Sequence, residues 1–255
     1  MTIREYLDNP SGKGAAVNSK VIYEVFLEKF KKYEEMKRDV IIKAFKYKKK
    51  YYIYAKLESQ SVDKCYYQCV IELTPNDKDT SANLEKTADM KVYVNSPSFN
   101  FTFAHVFLRE KLIIESFKAK YSREVKHTAP KTRNPYGVVG YEKILVFTLL
   151  TAIRKGMLNK DKYKDDKNFM VDMYKNLRKP DEVLKEYELL KRKQAEAKRK
   201  EKEKQKEDLK KTSPTTQGST VTRSSNHNKG KVTPIGANKS KIVKPKRKRW
   251  YINIL

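Results

Sequence analysis

The sequence predicts an α+β fold: an antiparallel sheet of four to five strands packed with helices, followed by a charged helix and an extended C-terminal tail. Three observations lead there. Apolar residues at helical spacing over residues 20–38 give way after residue 40 to β-branched and aromatic runs of strand length, a change of period from 3.6 to 2. Residues 144–153 form an apolar run bounded by Lys143 and Arg154. At about 1.5 Å per residue it covers about half a bilayer core and reads as a buried helix, not a membrane span. Charge is uneven, with 27 Lys/Arg against 18 Asp/Glu in residues 1–150 (+9) and 31 against 13 in residues 151–255 (+18). The expected organisation is an N-terminal arm (1–20), an α+β core domain (21–158), a helical extension (159–211) and a basic tail with an apolar terminus (212–255).

Residues 9–16 form a Gly/Pro/Ser cluster that punctuates rather than propagates structure, which makes 1–20 an arm or loop. Ile22, Phe26, Phe30 and Tyr33 then place one apolar stripe on a helix. Val40–Tyr47 and residues 51–57 read as a hairpin about the polar Lys48, Lys49 and Lys50. In the third run Cys65, Tyr67, Cys69, Ile71 and Leu73 share one strand face, with Lys64, Gln68 and Glu72 on the other. Residues 90–94 make a fourth short strand. Over residues 98–106, Phe99, Phe101, Phe103 and His105 alternate with Asn100, Thr102 and Ala104, which reads as a further strand with an aromatic face. A helix over residues 107–121, presenting Leu108, Leu112, Ile113 and Phe117, is its expected cover. A long loop spans 122–140, and residues 141–155 form a helix apolar nearly all round, closed by Gly156.

Residues 168–178 and 181–190 read as helices on either side of Pro180, which suits a first-turn position. Over residues 191–211 the apolar residues are Ala195, Ala197 and Leu209, so this helix has no face to bury. It rests on pairs such as Glu196 to Lys200 and Glu207 to Lys211 and reads as a spacer. Residues 212–238 are a Ser/Thr/Gly/Asn-rich linker, and from residue 212 onward there are ten basic residues and no acid. The densest point, Lys244, Lys246, Arg247, Lys248 and Arg249, supplies candidate polyanion contacts, since phosphate neutralisation needs charge density and little else. An acidic protein surface would satisfy the same charges. Trp250, Tyr251, Ile252, Ile254 and Leu255 are the candidate subunit-docking residues. In extended form Trp250, Ile252 and Ile254 share a face, as in a strand added to a sheet edge.

Catalytic signals are weak by comparison. His105, His127 and His227 lie far apart and make no zinc spacing. Ser11-Gly12-Lys13-Gly14 lacks the upstream glycine of a phosphate loop and the Ser/Thr after its lysine. Asp165 and Asp166, between Lys164 and Lys167, read as a solvated turn. Cys65 and Cys69, about 13 Å apart on a strand, are beyond disulfide reach and are expected as free thiols in a reducing compartment. The expectation is a non-enzymatic protein without cofactor or metal, with no membrane span. No signal-peptide pattern marks its first residues, so it is expected to stay where it is made.

Three blocks carry a resemblance. They are Arg4-Glu5-Tyr6-Leu7-Asp8-Asn9-Pro10-Ser11-Gly12-Lys13-Gly14, then Asn95-Ser96-Pro97-Ser98-Phe99-Asn100-Phe101-Thr102-Phe103-Ala104, then Arg133-Asn134-Pro135-Tyr136-Gly137 followed by Tyr141-Glu142-Lys143. In these the chain resembles structural-gene products of the crAss-like tailed bacteriophages of gut Bacteroidetes, over about residues 1–158. The resemblance implies a virion protein present in many copies, in the capsid or in the head-to-tail connector (neck or tail ring). Its implied partners are other virion proteins and copies of itself, assembled in the host cytoplasm. It implies no individual functional residues. Nucleic-acid binding through the basic tail is the alternative expectation, with DNA as partner.

Overall fold

The computed structural model describes residues 1–8, 19–76, 81–127, 134 and 139–212. The chain divides into two units, Met1–Lys200 and Glu201–Leu255, and the described part of the second is the last stretch of one helix. In chain order the elements are α1 (Ile3–Asp8), α2 (Ser19–Glu35), β1 (Val40–Tyr47), β2 (Lys50–Glu58), β3 (Tyr66–Pro75), α3 (Leu84–Thr87), β4 (Ala88–Val94), α4 (Pro97–Thr102), α5 (Ala104–Arg109), α6 (Arg123–His127), α7 (Lys143–Arg154), α8 (Lys167–Asn176) and α9 (Pro180–Thr212).

The fold is α+β, with a four-stranded antiparallel sheet in the order β1-β2-β3-β4 packed against several helices. Ile53 lies opposite Ala44 and Ile71, and Ile71 opposite Val92, so one face is continuous across all four strands. α7 packs on β2 and β3, and its Phe147 ring meets Phe30 and Tyr33 of α2 at 5.3 and 5.2 Å. Gly156, at φ +64°, ends α7 as expected, with the Gly156 and Met157 amides returning to the Ile153 and Ala152 carbonyls.

The other face is covered too. Phe169 of α8 lies 5.0 Å from Phe45 and 5.7 Å from Tyr54, and Tyr93 packs against Phe117 and Tyr121, each at 5.4 Å. Met173, Leu177 and Val183 are buried, so residues read as a wet extension beyond 159 form part of the core. Gln68 and Glu72, on the strand face opposite Cys69 and Ile71, are buried at 6% and 4% exposure. Glu72 accepts from Lys50 Nζ at 2.7 Å and from the Tyr52 hydroxyl at 2.9 Å, and Gln68 binds Asn95 and the Arg178 amide. A polar strand residue enters a core when tertiary partners satisfy it.

Three further expectations are corrected. The first eight residues are not an arm: α1 buries Ile3, Tyr6 and Leu7 in the core. Residues 98–106 are not a strand but run through α4 and α5. Ser96 caps α4 by accepting from the Phe99 amide at 3.1 Å, and Pro97 occupies the first turn. Phe99, Phe103 and Phe107 recur every four residues and are buried, whereas Phe101 is 39% exposed. Residues 107–121 are not one helix: Lys111 adopts φ +58°, Ile113 bridges Val92, and a 3-10 helix follows at Glu115–Lys120.

Candidate assembly site

The described residues of the three sequence blocks singled out above converge around one buried carboxylate. Glu142, fully buried, caps α7 by accepting from the Leu145 amide at 2.8 Å, and its other oxygen accepts from the Ser96 hydroxyl at 2.8 Å. The Tyr6 hydroxyl accepts from the Glu142 amide and donates to the Gly140 carbonyl, both at 3.1 Å. The Tyr141 hydroxyl donates to the Leu7 carbonyl, and the Asn134 amide group donates to the Thr102 carbonyl at 3.2 Å. A Cβ on Gly140 would lie 2.7 Å from the Phe103 ring, so only glycine allows this approach. Burial raises the Glu142 carboxyl from its ordinary value, opposed by the bonds from Leu145 and Ser96, and burial lowers the neighbouring Lys143 ammonium. Ser96 already accepts from Phe99 and is 2% exposed, so the pair acts as a joint between segments, not as a nucleophile and base.

The polar residues weighed for chemistry have structural partners. His105 Nδ1 lies 3.3 Å from the Val125 carbonyl. Asp166 caps α8 and pairs with Lys43 at 2.7 Å, which together with the Phe169 amide lowers its carboxyl from the ordinary range. Cys65 and Cys69 are free and buried, and burial pushes the Cys65 thiol up to about 11. Among the described residues no group of three or more His, Cys, Asp or Glu could hold a metal ion, and no helix is long and apolar enough to cross a membrane. An open depression of about 410 Å³ lies between Ser81, Asn83, Glu85, Ile153, Leu158 and Asn159, and its carboxylate pairs with Arg4.

The sheet edges are a further feature able to make contacts. Lys46 directs both main-chain groups away from β2: its amide donates to the Lys164 carbonyl at 2.8 Å and its carbonyl accepts from the Asp166 amide at 3.0 Å. By strand alternation Val40, Ile42 and Ala44 point the same way. Their outward groups have no partner among the described residues. Beside them Ile41 is 56% exposed. Sequence reading missed this opening because pairing order, not strand propensity, decides which strand is an edge.

The residues expected to bind or dock, Lys244, Lys246, Arg247, Lys248, Arg249, Trp250, Tyr251, Ile252, Ile254 and Leu255, lie outside the described residues, as do Ser11-Gly12-Lys13-Gly14 and His227. The helix leading toward them is described. α9 buries Val183, but residues 191–207 include no buried position. No protein-family model, no curated protein and no solved structure matches this chain.

Proposed function

We propose that this protein is a non-enzymatic structural component of a tailed phage particle, in the capsid or head-to-tail connector, that interlocks subunits through its C-terminal arm. The observation that carries the reading is α9. A 33-residue helix that packs at its start and is solvated over 191–207 gains nothing for the folded unit from its second half, but it serves as a spacer. Past it the sequence supplies a basic stretch and the apolar residues 250–255, suited to contact with another surface. Partners on this reading are other virion proteins and further copies of the chain. Phage particles purified from an infected culture should contain the chain in many copies, measured by gel densitometry against the major capsid protein. Its absence from purified particles overturns the proposal.

The acid-free basic stretch favours a second reading, contact with DNA through charge alone. Replacing Lys246, Arg247, Lys248 and Arg249 by Ala should weaken binding to unrelated DNA sequences about equally. The log–log salt slope should flatten by about 3 to 4. A protein without DNA affinity at low salt rejects this reading and leaves an acidic protein surface as the target.

A further inference from the structure

We infer that the open edge of β1, residues 40–44, is the acceptor for residues 250–255 of a second copy, which add to the sheet as a parallel fifth strand. The inference rests on the proposed arm and assigns what the arm binds.

The edge has the chemistry of a strand acceptor. Val40, Ile42 and Ala44 present outward main-chain groups that have no partner among the described residues, with half-buried side chains on one face and exposed Ile41 on the other. Residues 250–255 alternate Trp250, Ile252 and Ile254 with Tyr251, Asn253 and Leu255, so β-branched and aromatic side chains would meet across the strands. The lengths agree. Five residues of β1 are open before Lys46, where the chain at Lys164 and Asp166 closes the edge, and the apolar segment has six.

Charge selects the direction. At the Val40 end Glu35 and Asp39 are exposed and enter no ion pair among the described residues, Asp39 accepting from the Tyr66 hydroxyl at 3.1 Å; Lys37 is exposed beside them, and Arg38 is paired with Asp63 and Glu58. At the Tyr47 end Lys48 and Lys49 are exposed, and the segment bonded to Lys46 adds exposed Lys164 and exposed Asp165, which leaves this end the more positive of the two. A parallel strand sets Lys246, Arg247, Lys248 and Arg249 beside the two carboxylates, whereas an antiparallel one sets them against the lysines. Reach does not limit the contact, because residues 213–249 span at most about 120–130 Å when extended.

The test uses the full chain and two variants that fail for opposite reasons. Ala44→Pro blocks the acceptor without removing a bond to β2, because the Ala44 amide faces outward. Deletion of 250–255 removes the donor. In sedimentation velocity the wild type should associate with rising concentration, each variant alone should remain monomeric, and their equimolar mixture should form a one-to-one complex. Ile41→Lys, at an exposed position, repeats the acceptor test should Ala44→Pro fail to fold. If the deletion abolishes association while both edge variants associate as wild type does, the arm stands and β1 is not its acceptor. A wild type that is monomeric throughout, whether inert or closed on its own edge, rejects both. Glu35→Lys combined with Asp39→Lys should weaken association about fivefold. If Lys48→Glu with Lys49→Glu weakens it instead, the strand runs antiparallel and the direction inferred here is wrong.

Discussion

At one edge of the sheet β4 turns Met90, Val92 and Val94 outward, and each meets a partner. The Met90 amide donates to the Met1 carbonyl, Val92 exchanges bonds with Leu112 and Ile114, and the Tyr121 hydroxyl bridges the Val94 amide and carbonyl at 3.2 and 3.0 Å. At the other edge β1 turns Val40, Ile42, Ala44 and Lys46 outward, and of these Lys46 alone has main-chain partners there among the described residues. Three segments distant in sequence close β4. β1 is left with a lysine-bearing strand, the ordinary guard of an edge, though Lys43 is drawn onto Phe169 at 3.8 Å and pairs with Asp166. The difference teaches that closure here is a tertiary achievement. The edge left open among the described residues is available for contact, whereas the closed one contributes stability.

Breaking the closed edge should therefore cost far more than altering the open one. Tyr6→Ala removes a fully buried side chain that anchors α1, and with it the Met1 pairing, to Gly140 and Glu142. It should cost about 3–5 kcal/mol in urea unfolding. A loss below about 1 kcal/mol would disconnect α1 from the edge. Tyr121→Phe keeps the ring and deletes the hydroxyl that serves Val94, leaving two buried main-chain groups unpaired. A loss of about 1–3 kcal/mol is expected, and slow exchange at the Val94 amide should disappear.

The Glu142 joint sharpens the comparison through pH. Its folded carboxyl is raised, chiefly by burial, so the folded state holds the proton more tightly than the unfolded chain does. The associated stability is fully present below the unfolded value of about 4.3 and is lost as pH rises through the raised folded value. Glu142→Gln keeps a capping acceptor without the charge. The variant should therefore gain on wild type as pH rises, and parallel pH–stability curves for the two would contradict the assignment. The smallest effect belongs to the open edge. Ile41→Lys should change unfolding stability by no more than about 0.5 kcal/mol, and a larger loss would mean that Ile41 packs in the monomer.

Much of this molecule follows from local pattern. The stripe of Phe26, Phe30 and Tyr33, the period-2 runs of all four strands and the Gly156 stop each rest on neighbours within a turn or a hairpin, and each lies where periodicity places it. Residues 98–106 mark the limit. Phenylalanines at 99, 101 and 103 satisfy a period of 2, and 99, 103 and 107 satisfy a helix. Here the Ser96 cap and Pro97, both visible in the sequence, favour the helix more strongly than the aromatic alternation favours a strand. For the candidate site, the sequence could nominate the basic and apolar residues of the tail but not the acceptor proposed for them. The convergence of Tyr6, Ser96 and Glu142, the burial of Gln68 and Glu72, and the contrast between β1 and β4 depend on contacts between residues tens of positions apart. Local preferences act over a few residues, so they set what each element is. Which polar groups are satisfied and which edge remains open are decided by long-range packing.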